Sequence, residues 1–214
     1  MSHYNVTSPD LRESVITKTR GELGLPTSST AYVCPTKLQK LPPDFDLLIR
    51  DLLARDGNGT VILFGDGRHG SWHIQIMERL RRLMGLDAER VLLLPSAGSD
   101  NFSQTLALAD VVLDPFPFGL GTTCFMAFAA TAPVVTRPSP CRWVRMVHAC
   151  HRQMDFLQRV SDAPADYLET ALRLAKDSAF RIHAVNEICA RSQVLLGDAG
   201  CTRELADFLA SGHG

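Results

Sequence analysis

Residues 109–136 read ADVVLDPFPFGLGTTCFMAFAATAPVVT. The apolar run at residues 111–113 predicts a short strand, which the following prolines and Gly119 bring to an end. Residues 122–130 predict an apolar helix, and residues 133–136 predict a second strand. Short strands that are apolar along their whole length are buried on both faces, which is typical of a parallel sheet covered by helices. This stretch therefore predicts an α/β fold.

The same alternation extends through most of the chain. Further strands are predicted at residues 31–34, 60–64 and 91–94, with helices at residues 44–54, 72–84 and 101–108. After Pro140 the pattern becomes mainly helical, at residues 142–154, 164–176, 179–196 and 202–210. We expect a Rossmann-like parallel sheet flanked by helices, with a helical C-terminal extension. Residues 1–30 are rich in Ser, Thr and Gly and predict an N-terminal arm or lead-in, and residues 31–214 predict one Rossmann-like domain.

Composition excludes several classes of protein. The 214 residues carry 22 Lys and Arg against 23 Asp and Glu, so the basic excess of a nucleic-acid binder is absent. The densest basic cluster, Arg79, Arg81 and Arg82, is interpreted as the solvated face of a helix. No apolar run approaches the roughly 18 residues of a transmembrane helix, and the polar start does not resemble a signal peptide. We expect a cytoplasmic or nucleocytoplasmic protein with neither nucleic-acid nor membrane partners.

Metal binding and disulfides are not predicted either. The six cysteines include no Cys-x-x-Cys pair, and in a reducing compartment they are expected to be buried thiols. Cys141, His148, Cys150 and His151 lie close together in the sequence, but their spacing matches no common zinc pattern.

Ligands of open parallel sheets bind beyond the carboxyl ends of the strands. Here the segments after the first four predicted strands are residues 34–40, 65–69, 95–102 and 116–123. In the last of these, Gly119 and Gly121 allow backbone to approach a ligand, and Thr122 and Thr123 begin a helix whose free N–H groups suit phosphate. A glycine-rich turn with a threonine N-cap explains the same residues. Spacing alone does not separate the two interpretations.

Four segments carry a resemblance to a known family: residues 32–35, 38–46, 67–69 and, most specifically, 109–136. Together they resemble the C-terminal catalytic half of the O-linked N-acetylglucosamine transferases and their Spindly-type relatives. The resemblance extends over about residues 20–210. It implies the donor-binding half of a GT-B fold, in which two Rossmann-like domains face each other across a cleft.

The resemblance also implies a function. The whole enzyme would transfer N-acetylglucosamine from UDP-GlcNAc to Ser or Thr hydroxyls of an acceptor protein, with inversion and without metal or other cofactor. GDP-fucose remains open as the donor. The N-terminal half and the helical repeats that handle the acceptor are not in this sequence. The chain alone is therefore expected to be inactive or weak, with the other half supplied by a missing N-terminal domain or a separate partner chain.

Site residues are carried over position by position. Lys40 matches the lysine that contacts the pyrophosphate, where a cation stabilises charge on the leaving group, although a plain surface lysine is the alternative. Thr122 and Thr123, with Gly121 before them, match the phosphate-binding start of a helix. Ala97 lies where backbone groups pair with the uracil edge. Phe102 lies where a ring stacks on the base, or equally in the helix core.

Met126 departs from the family pattern. The resemblance implies an Asp or Glu at this position to hold the ribose hydroxyls, and a thioether is a poor acceptor. Met126 therefore favours an alternative function, a non-catalytic interaction module that has lost tight nucleotide binding. Lys40, Thr122 and Thr123 favour donor binding.

Overall fold

A computed structural model describes residues 16–65, 70–95, 98–141, 144–196 and 200–211. These residues contain one sheet of five parallel strands in the order β3-β2-β1-β4-β5. The strands are β1 Thr30–Lys37, β2 Gly59–Gly65, β3 Val91–Pro95, β4 Val111–Leu113 and β5 Val134–Val135. The predicted parallel sheet is confirmed.

Eight α-helices form within the described residues. They are α1 Pro43–Arg55, α2 Gly70–Met84, α3 Ser99–Ala107, α4 Thr123–Ala129, α5 Met146–Gln153, α6 Pro164–Lys176, α7 Ser178–Arg191 and α8 Gly200–Ala210. Each lies where the hydrophobic period predicts a helix. The last four follow one another without a named strand between them, which confirms the helical extension.

The strand order explains how the helices cover the sheet. From β1 through β2 to β3 the chain moves toward one edge, and α1 and α2 contact each other. It then returns to place β4 on the other side of β1, and α3 and α4 contact each other. Because parallel crossovers are almost always right-handed, this reversal puts the two helix pairs on opposite faces. α6 packs against α1 and α7 against α4, so the helical extension thickens both layers.

β1 is longer than predicted. It continues through Pro35 to Lys37, although Pro35 was expected to end the apolar run at Cys34. Proline has no N–H to donate to the next strand, and the pairing with β2 shifts register between Cys34 and Lys37. Pro35 lies within this irregularity, where the ladder to β2 is already interrupted, so its missing N–H breaks no regular strand pair. The extra residues carry β1 further toward the edge where ligands bind.

β3 differs from the expectation of burial on both faces. β2 is buried along its whole length, whereas only Val91 of β3 is fully buried and Leu92–Leu94 are half-buried. β3 lies at the edge of the sheet, where one neighbouring strand and part of the helical cover are missing.

The segment before β1 is attached to the domain by hydrogen bonds. The backbone N–H groups of Thr17 and Lys18 donate to Gln104 Oε1 at 3.0 and 2.9 Å. The Arg20 guanidinium donates to Asp110 Oδ2 at 2.8 Å and to the Leu108 carbonyl at 2.8 Å. The described part of the predicted N-terminal arm therefore packs on α3 and the turn that follows it.

The His and Cys residues near α5 take part in packing. His151 is buried and contacts the rings of Phe128 and Phe156, and burial lowers its pKa to about 4. Cys124 and Cys150 are buried free thiols with their Sγ atoms 3.8 Å apart. The described residues contain no cluster of three His, Cys, Asp or Glu side chains arranged for a metal ion. None of the described helices has the length and apolar character that crossing a membrane requires.

Candidate functional site

The reversal of strand order creates a crevice between β1 and β4. The two strands pair directly, Tyr32 with Val111 and Val33 with Val112, and the chain leaves them in opposite directions. Ligands of open α/β sheets bind at such a switch point, outside the carboxyl ends of the strands. Since neighbouring strands lie about 4.8 Å apart, the segments after β1 and β4 must lie side by side.

Lys40 lies on one side of this crevice. β1 is followed directly by a short 3₁₀ turn, Leu38–Lys40, in which Leu38 is buried and Lys40 is exposed. The Lys40 ammonium makes no hydrogen bond or ion pair with the described residues. It therefore lies at the rim of the crevice, available to a negatively charged ligand.

The Lys40 turn is anchored by an ion pair that the sequence did not reveal. The Arg79 guanidinium donates to the Leu41 carbonyl at 3.0 Å and forms a two-pronged contact with the Asp46 carboxylate. Burial raises the pKa of Asp46 above its ordinary value, although Arg79 opposes this shift. Arg79 is thus half-exposed at the border of the solvated face and is held by Asp46, while Arg81 and Arg82 are exposed as expected.

On the other side of the crevice, a buried carboxyl group holds the loop after β4. Asp114 accepts hydrogen bonds from the Leu120 N–H and the Thr136 hydroxyl, each at 2.5 Å. Burial raises its pKa to about 7, although both hydrogen bonds act in the opposite direction. Asp114 therefore fixes the loop that leads into α4, a role that its position immediately after a buried strand could have suggested.

The backbone conformation and packing at position 119 explain why this residue is a glycine. Its φ is 62°, in the left-handed region, and a Cβ there would lie 2.7 Å from the Val144 carbonyl oxygen. The close approach that was expected between Gly119 and a ligand is instead made between Gly119 and the Val144 carbonyl. Gly121 differs, because a Cβ placed on it meets no described atom within 4 Å.

Three consecutive amides remain available at the start of α4. The N–H groups of Cys124 and Phe125 donate to the carbonyls of Gly121 and Thr122, which closes the first turn. The amides of Gly121, Thr122 and Thr123 donate to no described group, and Gly121 and Thr122 are exposed. The Thr122 side chain makes no capping hydrogen bond, so the threonine N-cap interpretation is not what the structure shows.

Phe102 lies on α3, away from Lys40. Its ring meets the Phe64 ring edge-on, with centroids 5.1 Å apart, and the side chain is half-buried. Phe64 belongs to β2, the neighbour of β1. Phe102 therefore packs on the strand next to β1. Ala97, Arg68 and His69 lie outside the described residues.

Met126 lies four residues after Thr122 on α4. The buried residues of this helix are Cys124, Ala127 and Phe128, and Met126 beside them is half-buried against the core. Because residues four apart share a helix face, the exposed Thr122 and Met126 are neighbours on its flank. The structure thus brings Lys40, Gly121, Thr122 and Thr123 to one edge, with Met126 one turn behind them.

Comparison with known proteins assigns the family. The model of glycosyl transferase family 41 matches residues 1–196. This chain belongs to glycosyl transferase family 41. The family 41 chain also resembles a solved mutant of the O-GlcNAc transferase of Thermobaculum terrenum, with a TM-score of 0.76 and 23% identity.

Other solved structures share the fold. The Anabaena protein HepE, solved in complex with UDP and glucose, matches 95% of this chain at a TM-score of 0.68 and 17% identity. A UDP-forming trehalose-phosphate synthase from Burkholderia xenovorans matches 97% at a TM-score of 0.67 and 13% identity. This chain spans 35% of the Thermobaculum chain, 55% of the Anabaena chain and 50% of the Burkholderia chain. Of its own length, 85% matches the Thermobaculum chain. It therefore corresponds to half of a GT-B glycosyltransferase fold.

Proposed function

We propose that this family 41 chain is the donor-binding half of a protein O-glycosyltransferase that uses UDP-GlcNAc and modifies Ser and Thr hydroxyls. The observation that carries the proposal is that the exposed Lys40 follows β1, while three available amides follow β4, the neighbour of β1 in the sheet. A cation and a row of N–H donors together form a site for a diphosphate. The complex of the similar Anabaena protein with UDP and glucose supports the same class of ligand.

The donor is placed across the carboxyl edge of the sheet. The diphosphate lies between Lys40 and residues 121–123, and the nucleoside extends over β2 toward Phe102. The two regions lie at neighbouring strands of one sheet, which suits a nucleoside diphosphate whose base and phosphates bind at opposite ends. In this placement Ala97, which follows β3, lies near the base.

The proposed reaction is a direct displacement. The acceptor hydroxyl oxygen attacks the anomeric carbon, the bond from that carbon to the diphosphate oxygen breaks, and the bonding electrons stay with the leaving diphosphate. Lys40 and the amides of residues 121–123 stabilise the charge that develops there, so the proposal needs neither a metal nor another cofactor.

The hydroxyl proton needs an acceptor from outside this half. Asp114 is the carboxyl group nearest in sequence to the amide row, but it is buried and engaged with Leu120 and Thr136. We therefore assign the base and the acceptor cleft to an N-terminal half or to a separate partner chain. The chain alone is proposed to bind donor with weak or no transfer, in the cytoplasm or nucleocytoplasm.

Calorimetric titration of the isolated chain with UDP and GDP tests the proposal. UDP should bind more tightly than GDP, and Lys40→Ala should weaken UDP binding by about 1.5–3 kcal/mol, the range for a hydrogen bond to a charged group. Arg82→Ala is the control, because it removes one positive charge from a side chain that is 79% exposed near the C-terminal end of α2, and it should leave UDP binding unchanged. Equal UDP affinity for wild type and Lys40→Ala rejects the placement.

Met126 supports one alternative, a non-catalytic interaction module. The half-buried thioether supplies no carboxylate for a ribose. This alternative predicts that a fully folded chain binds neither UDP nor GDP, and the same titration separates the two functions.

A further inference from the structure

A cavity of about 630 Å³ lies between α1, α6 and the segments that follow β4 and β5. Its lining is mostly apolar and includes Leu47, Leu48, Phe116, Pro117, Pro140 and Leu168. Neither Lys40 nor any of residues 121–123 is part of this lining. The cavity is therefore a second concave surface, outside the donor crevice.

The fold itself holds the walls of this cavity in place. The Phe116 ring meets the Phe45 ring of α1 and the Tyr167 ring of α6 edge-on, with centroids 5.5 and 5.6 Å apart. On the segment after β5, the Arg145 guanidinium donates to the Pro140 carbonyl at 3.1 Å. The cavity is thus already formed, so a ligand does not have to order it.

Arg137 adds an unpaired cation to this apolar lining. It is half-buried after β5, and its guanidinium carbon lies 5.0 Å from the centroid of the Phe116 ring. Its guanidinium forms no hydrogen bond or ion pair with any described residue. Nε is buried, whereas Nη1 and Nη2 are not among the buried unpartnered atoms and are open to a ligand. A partly desolvated cation is more stable when an acceptor faces it.

The other charges of the lining do not neutralise Arg137. Arg50 pairs with Asp51 at 2.7 Å, and Asp44 is exposed and forms no ion pair with any described residue. Two cations and two carboxylates balance, so the cavity has no general attraction for anions. A ligand must therefore combine an apolar group with one acceptor for Arg137. A carboxylate suits this better than a doubly charged phosphate, which costs more to desolvate.

An exposed apolar rim adjoins the cavity. Leu47 is 43% exposed, Pro117 and Pro140 are exposed, and Phe118, next to Pro117 in the sequence, is 53% exposed. A small ligand inside the cavity leaves this rim in water, whereas a polypeptide covers it with the residues that flank an anchoring side chain. We propose that the cavity is a docking site for a segment of a partner protein in which a large apolar side chain neighbours a carboxylate.

NMR titration of the chain with two blocked peptides tests the site without any nucleotide. The first is acetyl-Gly-Ser-Phe-Asp-Ser-Gly-amide, and the second has Asn in place of Asp. The acidic peptide should bind about tenfold more tightly, as expected for a hydrogen bond to a charged group. The amide signals of Ser139, Ala165 and Leu168, which line the cavity, should move on binding.

Two pairs of variants make the result specific. Arg137→Gln should bring the two peptides to equal affinity, whereas Arg82→Gln, at an arginine that is 79% exposed on α2, should keep the difference. Leu47→Ser should weaken both peptides at least several-fold. Leu86→Ser, at a leucine that is 89% exposed and does not line the cavity, should weaken neither.

Several outcomes overturn the proposal. Equal affinity of the two peptides for wild type does so, as does a difference that persists in Arg137→Gln. Should Arg137→Gln fail to fold, unchanged peptide binding in Leu47→Ser has the same meaning. Phenylacetate that binds as tightly as the acidic peptide identifies a site for small carboxylates instead. Light scattering in which Leu47→Ser, but not Leu86→Ser, makes the chain more monomeric identifies a second copy as the occupant.

Discussion

Asp114 couples the loop before α4 to pH. Its pKa of about 7 lies above the roughly 3.9 of an unfolded aspartate, so between these pH values the folded chain binds more protons than the unfolded chain. The free energy of unfolding contributed by this group therefore falls as pH rises from about 4 to 7. The slope is at most about 1.4 kcal/mol per pH unit.

Asp114→Asn should remove that slope. An asparagine oxygen still accepts from the Leu120 N–H, and its amide group donates to the Thr136 hydroxyl, so both hydrogen bonds survive. Urea denaturation at several pH values between 4.5 and 7.5 measures the difference between variant and wild type. Asp166→Asn, on an exposed side chain of α6, serves as the control. Parallel profiles for wild type and Asp114→Asn contradict the assignment.

Phe102 has two possible roles that a pair of substitutions separates. Loss of a ring that stacks on the base should weaken UDP binding by about 1–3 kcal/mol. Phe102→Ala also removes the edge contact with Phe64 and should lower stability. Phe102→Leu retains apolar bulk without an aromatic face, so binding should fall while the Tm changes little. Unchanged UDP affinity in Phe102→Leu identifies Phe102 as a core residue.

At the scale of a single element, Met126 tests the orientation of α4. A glutamate on the helix flank beside Thr122 is positioned to accept hydrogen bonds from ribose hydroxyls, each worth about 1.5–3 kcal/mol before desolvation. Because Met126 is half-buried, Met126→Glu should fold and should tighten UDP binding. Calorimetry gives the sign of the change.

The matched substitution Met126→Gln has the same shape without the charge and should give a smaller gain. A sharp fall in Tm with no gain in affinity indicates that the side chain points into the core, where an unpaired carboxylate is costly. In that case the ribose is not held by α4.

At the scale of the whole molecule, α8 leaves an apolar surface uncovered. Leu205, Phe208 and Leu209 are 58%, 57% and 70% exposed, and an apolar patch of this kind usually marks an interface. The isolated chain should self-associate at high concentration unless a partner covers α8. Multi-angle light scattering of wild type and of the double variant Phe208→Ser, Leu209→Ser measures this, and the variant should be more monomeric.

Leu86→Ser is the control for that experiment. Leu86 is 89% exposed but lies outside α8, so its replacement should leave the association unchanged. A monomeric wild type at high concentration argues against an interface on α8.

Local pattern was sufficient to predict most elements of the chain. The period of the apolar residues predicted the strands and helices, because each element buries its own face whatever its neighbours are. The stretch 109–136 was also specific enough to indicate the family, which the match of the family model to residues 1–196 confirms.

The tertiary structure alone decided which of these residues meet. Strand order depends on how crossovers pack over a sheet, and no sequence window records that β4 returns to pair with β1, so that the segments after these two strands leave the same edge of the sheet. The contact between Arg79 and Asp46 joins residues 33 positions apart, and its burial became visible only once α1 and α2 were packed together. The burial of Arg159 likewise depends on Phe180, on a later helix. Charge and hydropathy describe a residue by itself, whereas its burial and partners are properties of the packed fold.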